Sequence, residues 1–222
     1  MPALLIKDFL QTQGLKLDTD HLHAAYLAAR AVMDMGRASI ERNILWHEDE
    51  NLKLSEHIAD TPENEAVLKQ VFMALDSAFS RAANVKSAAV YALMPSESGL
   101  RLVCITQQGR GLEKQIAVNE ENSLVHLPSR TAQSGWMNIA DDVAYWMEIG
   151  EMAGGRNADS KAQMSVPVAG INGRVYGVVH VEFENKKQID ETAQTEWSAL
   201  TLALIEPLKT LLGIVDEDEA DE

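Results

Sequence analysis

Two pairs of segments in which apolar residues recur at every second position, each pair joined by a connection of only a few residues, constrain this chain more than any other feature. In the first pair, residues 87–94 are small and apolar, Pro95-Ser96-Glu97-Ser98-Gly99 reads as a turn, and residues 100–107 follow. Leu102, Cys104 and Thr106 fall on one face of that second segment, and Val103 and Ile105 on the other. The second pair covers residues 162–168 and 175–183, joined at Gly170-Ile171-Asn172-Gly173. Strands joined so closely pair antiparallel, because a parallel partner needs a crossover of a dozen or more residues. Residues 114–118 read as a third short strand, 122–134 as a brief helix and 135–139 as an extended piece.

Helical periods bracket this sheet. Asp60-Thr61-Pro62 supplies a cap and a first-turn proline for a helix carrying Val67, Leu68, Val71, Phe72, Leu75 and Phe79 on one side. A last helix over 191–212 lines up Trp197, Leu200, Leu204, Leu208 and Leu211, with a bend expected at Pro207, which cannot donate back toward Ala203. The order α, β, β, (β), α, β, β, α implies an α+β fold, an antiparallel sheet with helices packed on one face. Ahead of it, residues 1–17 read as a small helix or strap. A long helix follows, with Leu22, Tyr26, Ala29, Met33, Gly36, Ile40 and Ile44 on one seam. The expected organisation is an N-terminal helical extension over 1–60, a domain over 61–213 and an acidic tail over 214–222.

Charge narrows the function classes. The net charge is −15, and the last seven residues supply six of the acids. An excess of acid disfavours nucleic acid and anionic membrane as partners. No run approaches the ~20 apolar residues of a membrane span, and the first residues lack a signal peptide's pattern, so a cytoplasmic protein is expected. One cysteine, Cys104, leaves no internal disulfide and no dithiol cycle. Neither a metal site nor a cofactor site emerges: His21 and His23 point to opposite sides of a helix, and Gly109-Arg110-Gly111 lacks the spacing of a phosphate loop.

From about residue 62 to 213 the chain resembles the GAF domain, a small-molecule-sensing module related in architecture to PAS domains. The resemblance rests on Ser165-Val166-Pro167-Val168, on Gly173-Arg174-Val175-Tyr176-Gly177-Val178-Val179, and on the helix after Asp190-Glu191. Upstream, Ala132-Gln133-Ser134-Gly135 and Asn138-Ile139-Ala140-Asp141-Asp142 resemble the segment that enters the pocket wall. GAF-type free methionine-(R)-sulfoxide reductases use one cysteine to attack and another to resolve; with Cys104 alone, the expectation is a protein that is not an enzyme. Asn185-Lys186 lacks the Phe and the paired acids that accompany it in cyclic-nucleotide-binding members, and Cys104 is poorly placed to attach a bilin.

Alternation across the last strand points to the site. Val175, Gly177, Val179, Val181 and Phe183 form an apolar face, and Tyr176, Val178, His180 and Glu182 a mixed one. The resemblance implies that the mixed face looks into a cavity beneath residues 119–160. Tyr176 and His180 are then candidate ligand-binding residues on its floor, with His126, Arg130, Trp136, Tyr145 and Trp146 in its roof. The plainer alternative is a sheet histidine and a segment that completes the core. Gly154-Gly155 reads as a hinge or a simple turn. The expected function is a non-catalytic sensory or regulatory protein that binds a small molecule and signals through its flanking helices to an effector protein. The alternative is a scaffold or interaction module whose pocket is filled by Trp136, Tyr145 and Trp146; a one-cysteine redox sensor using Cys104 is a third idea. A homodimer through the helices over 22–44 and 197–211 is the expected assembly.

Overall fold

The computed structural model describes residues 2–35 and 39–214. The chain opens with helix α1 (Pro2–Gln13) and α2 (Thr19–Asp34), the latter capped by Asp18, whose side chain accepts from the amides of Asp20 and His21. The seam expected to run to Ile44 stops earlier. A separate short helix, α3 (Arg42–Leu45), turns the chain back, and Arg42 binds Asp60 and Glu65 beneath the ring of Trp46. Gly36 and the acidic tail lie outside the described residues.

Helix α4 (Pro62–Arg81) begins where Thr61 Oγ1 accepts from the Asn64 amide at 3.2 Å. Six strands follow: β1 (Val85–Ser96), β2 (Gly99–Gly109), β3 (Gln115–Val118), β4 (Asn138–Ala140), β5 (Ala162–Ala169) and β6 (Val175–Phe183). They form one sheet in the order β3-β2-β1-β6-β5-β4, antiparallel throughout. Three short helices lie in the excursion between β3 and β5: α5 (Glu120–Val125), α6 (Leu127–Ser134) and α7 (Val143–Glu148). What reads as one helix over 122–134 is two, because His126 ends the first and caps a second that begins at Leu127 with Pro128 in its first turn.

The expected last helix is likewise two, α8 (Glu191–Ala203) and α9 (Ile205–Leu211), with Leu204 at the joint. Pro207 has no amide to offer Ala203, so the break falls one turn before it. Helices α4, α8 and α9 pack on one face of the sheet, and α2 lies outside them against α4 and α8. This is the expected α+β architecture, and it needs close approach at one point. A Cβ on Gly177 would stand 2.0 Å from the carbonyl oxygen of Tyr91 and 2.7 Å from Leu208 Cδ1. Only glycine lets β1 and α9 close on that position.

The inward residues of α2, Leu22 and Met33, and those of the last two helices, Leu200, Leu204 and Leu208, are all buried within the one chain. These residues are therefore covered within the chain, α2 against α4 and α8, while Ile44, at the end of the expected seam, is 45% exposed. Among the described residues no helix is long and apolar enough to cross a membrane.

Candidate functional site

Register decides which side chains meet over the sheet. Ser165 on β5 pairs with His180 on β6, and Gln163 pairs with Glu182, so all four project from the same face. Tyr91 of β1 pairs with Val178 and joins that face from the other side. Helix α6 and the 119–160 excursion cover it, leaving a cleft bounded by Tyr91, Gln163, His180 and Glu182 below and by His126, Arg156 and Asn157 above.

A polar line runs along the floor. The Ser165 hydroxyl lies 2.7 Å from His180 Nδ1, and His180 Nε2 lies 3.8 Å from Glu182 Oε1. A carboxylate opposite Nε2 favours the imidazole proton there, which leaves Nδ1 to accept from Ser165. Arg156 reaches the same Glu182 oxygen at 3.4 Å and donates to the carbonyl of Gly111 at 3.4 Å. His180 and Glu182 are only 4% and 5% exposed. Burial alone raises the Glu182 pKa, but the hydrogen bond and charge of His180, with the charges of Arg156 and Lys86, outweigh it and hold the carboxyl below its usual range. Burial pushes the His126 imidazole down.

The roof is tied to the floor through amides. Asn157 donates to the carbonyl of Val125 at 2.7 Å and accepts from Gln163 Nε2 at 3.0 Å. About 260 Å3 is free of atoms out to the mouth of the cleft, while the enclosed part holds about 10 Å3, roughly one water.

Of the residues singled out from sequence, the structure brings His180 and His126 together in this cleft. Tyr176 shares the face but lies toward its end, with Gly170 against its hydroxyl and Arg174 over its ring at 5.9 Å. Arg130 stacks over Trp146 at 5.5 Å and hydrogen-bonds the backbone of Ser123 and Glu151, pinning the roof from outside. Trp146 packs with the small cluster of Leu127, Ala140, Val143 and Met152. Trp136 and Tyr145 are 56% and 55% exposed, and Trp136 lies over α1 beside Gly14. The three aromatics expected to fill the pocket therefore leave it unfilled. Sequence reading missed Gln163, Asn157 and Tyr91. For Gln163 the signal was present, two positions before Ser165 in the strand alternation.

Cys104 is fully buried beside Tyr91 on β2, and burial pushes its thiol up to about 12. His47 Nε2 donates to the Cys104 and Ile105 carbonyls at 3.2 and 3.3 Å, where the β1–β2 register slips by one residue. Among the described residues, no three His, Cys, Asp or Glu side chains stand together as a metal site.

No protein-family model matches this chain, and neither does any curated protein. Solved structures do match. The GAF domain of the phosphoenolpyruvate-protein phosphotransferase from Acinetobacter superposes with a TM-score of 0.56 at 13% identity, over 86% of this chain and 95% of its own. The type II free methionine-R-sulfoxide reductase from Thermoplasma acidophilum gives 0.56 at 13% identity, over 67% and 96%. The free methionine-R-sulfoxide reductase of Staphylococcus aureus, in complex with its substrate, gives 0.56 at 12% identity, over 84% and 95%.

The fold is GAF-like, and the resemblance read from the sequence holds at that level. The same similarities correct the expectation of a non-catalytic sensor or scaffold. Enzymes, one of them with substrate bound, share the architecture, so the fold is no ground for classing the chain as non-catalytic.

Proposed function

We propose that the chain is an enzyme acting on a small polar molecule in the cleft over β5 and β6, with His180 as the group that transfers the proton. The observation that carries this reading is the buried line Ser165–His180–Glu182. A hydroxyl fixes one nitrogen of the imidazole, and a carboxylate held ionised faces the other. His126 and Tyr91 border the same space. Thiol chemistry at Cys104 is disfavoured, because a thiol pushed up to about 12 offers almost no thiolate near neutrality.

The structural similarity to reductases supplies the first compound to offer, free methionine-(R)-sulfoxide, with dithiothreitol as the two-electron donor. The dithiol becomes its disulfide, sulfur is reduced to the sulfide, and the oxygen leaves as water on protons that His180 relays. The test is methionine formation by His180→Gln and Cys104→Ser proteins side by side, with loss expected only in the first.

A further inference from the structure

We propose that this cleft takes molecules carrying a primary ammonium group, which the Glu182 carboxylate receives, and that Arg156 is the latch such a molecule displaces. The inference rests on the cleft being the active site and adds the charge class of what enters it.

Glu182 is fixed on β6 and nearly buried, and Arg156 and His180 both approach its single oxygen Oε1, with the charge of Lys86 acting on it as well. Arg156 is held far more loosely. It sits on the short helical turn over residues 155–159, just after Gly154 with φ of +90°, and its side chain is one-third exposed. Its bonds to Glu182 and Gly111 are both 3.4 Å, at the long end of hydrogen-bond range. With Arg156 in place the enclosed space is about one water in size, so a substrate has to move it.

Charge then selects the substrate. An anion drawn to Arg156 would take from Glu182 the cation that reaches its Oε1 and bring a second negative charge beside a buried carboxylate, which is unfavourable. A neutral molecule offers no replacement for the guanidinium. An ammonium group replaces it charge for charge, while the freed Arg156, already partly in water, swings outward at little cost. Leu112, Ile116, Val125 and Leu127 line the remaining wall and suit an alkyl portion of the same molecule.

The experiment is calorimetric titration of the full chain at neutral pH with n-butylamine, n-butanol and butyrate, which share a tail and differ in charge. Binding of the amine alone is expected. Glu182→Gln should weaken it by roughly tenfold or more, and Arg156→Gln should tighten it several-fold by removing the competing cation. Preferential binding of butyrate, weaker amine binding in Arg156→Gln, or no amine binding by either the wild type or Arg156→Gln up to about 50 mM would overturn the proposal. Arg156 is near the surface, so its variant serves if Glu182→Gln does not fold. These are binding readouts that need no turnover: their failure leaves proton transfer by His180 standing, and failed turnover leaves amine binding standing.

Discussion

At the scale of single residues, the site depends on which atoms two strands bring opposite one another. His180 was legible because alternation along one strand puts it between Val178 and Glu182 on a mixed face. Its partners were not, because Ser165 and Gln163 meet it only through the β5–β6 register, which a lone sequence does not state. Asn157 was still further out of reach, being delivered by an irregular loop. Gly177 belongs to the same scale. Gly177→Ala would force a Cβ against the Tyr91 carbonyl oxygen and Leu208, and destabilisation by about 1–3 kcal/mol or more is expected, read as a lower midpoint in urea. An unchanged midpoint would mean that β1 and α9 do not close on that position.

At the scale of elements, the helices were legible in kind and misjudged in extent. The seam from Leu22 to Met33 is real, but three further residues in phase, Gly36, Ile40 and Ile44, carried the reading past the true end of α2 at Asp34. Periodicity has no means of registering that Arg42 is drawn away to Asp60 and Glu65. The roof helices were blurred for a different reason: their cap at His126 has no side-chain hydrogen bond to mark it in the sequence. The packing of α2 inside its own chain makes a sharp contrast between two leucines of that helix. Leu22 is fully buried and Leu27 is 51% exposed. Leu22→Ala should cost about 2–5 kcal/mol and Leu27→Ala less than about 0.5 kcal/mol in thermal or urea unfolding. Equal effects would place the helix elsewhere than against α4 and α8.

At the scale of the whole molecule, the sheet, its covering helices and the roof leave one cleft in which a carboxylate is kept charged out of water. That has a consequence for stability against acid. The Glu182 carboxyl is below its usual value in the folded protein, so its contribution is fully present above the unfolded value near 4.5 and is lost as pH falls through the lower folded value. His126 and His47, pushed down mainly by burial, act earlier: their contribution is present above 6.5 and declines below it. Stability should therefore begin to decline below about pH 6.5 and fall further below about pH 4.5, with the lower part of the loss reduced in Glu182→Gln. A second limb of the same size in that variant would locate the acid sensitivity elsewhere.

The overall architecture was the most legible level, since strand pairing and helix order follow from periodicity and turns. Counting cysteines led to a non-catalytic reading, whereas the chemistry available in the cleft comes from an imidazole and a carboxylate. The measurement that addresses this most directly is the rate of methionine formation from free methionine-(R)-sulfoxide and dithiothreitol by wild type, His180→Gln and Cys104→Ser. General acid–base catalysis by His180 requires a loss of about 10²–10⁴-fold in His180→Gln and a rate within about twofold of wild type in Cys104→Ser. A rate abolished by Cys104→Ser and retained by His180→Gln would contradict it.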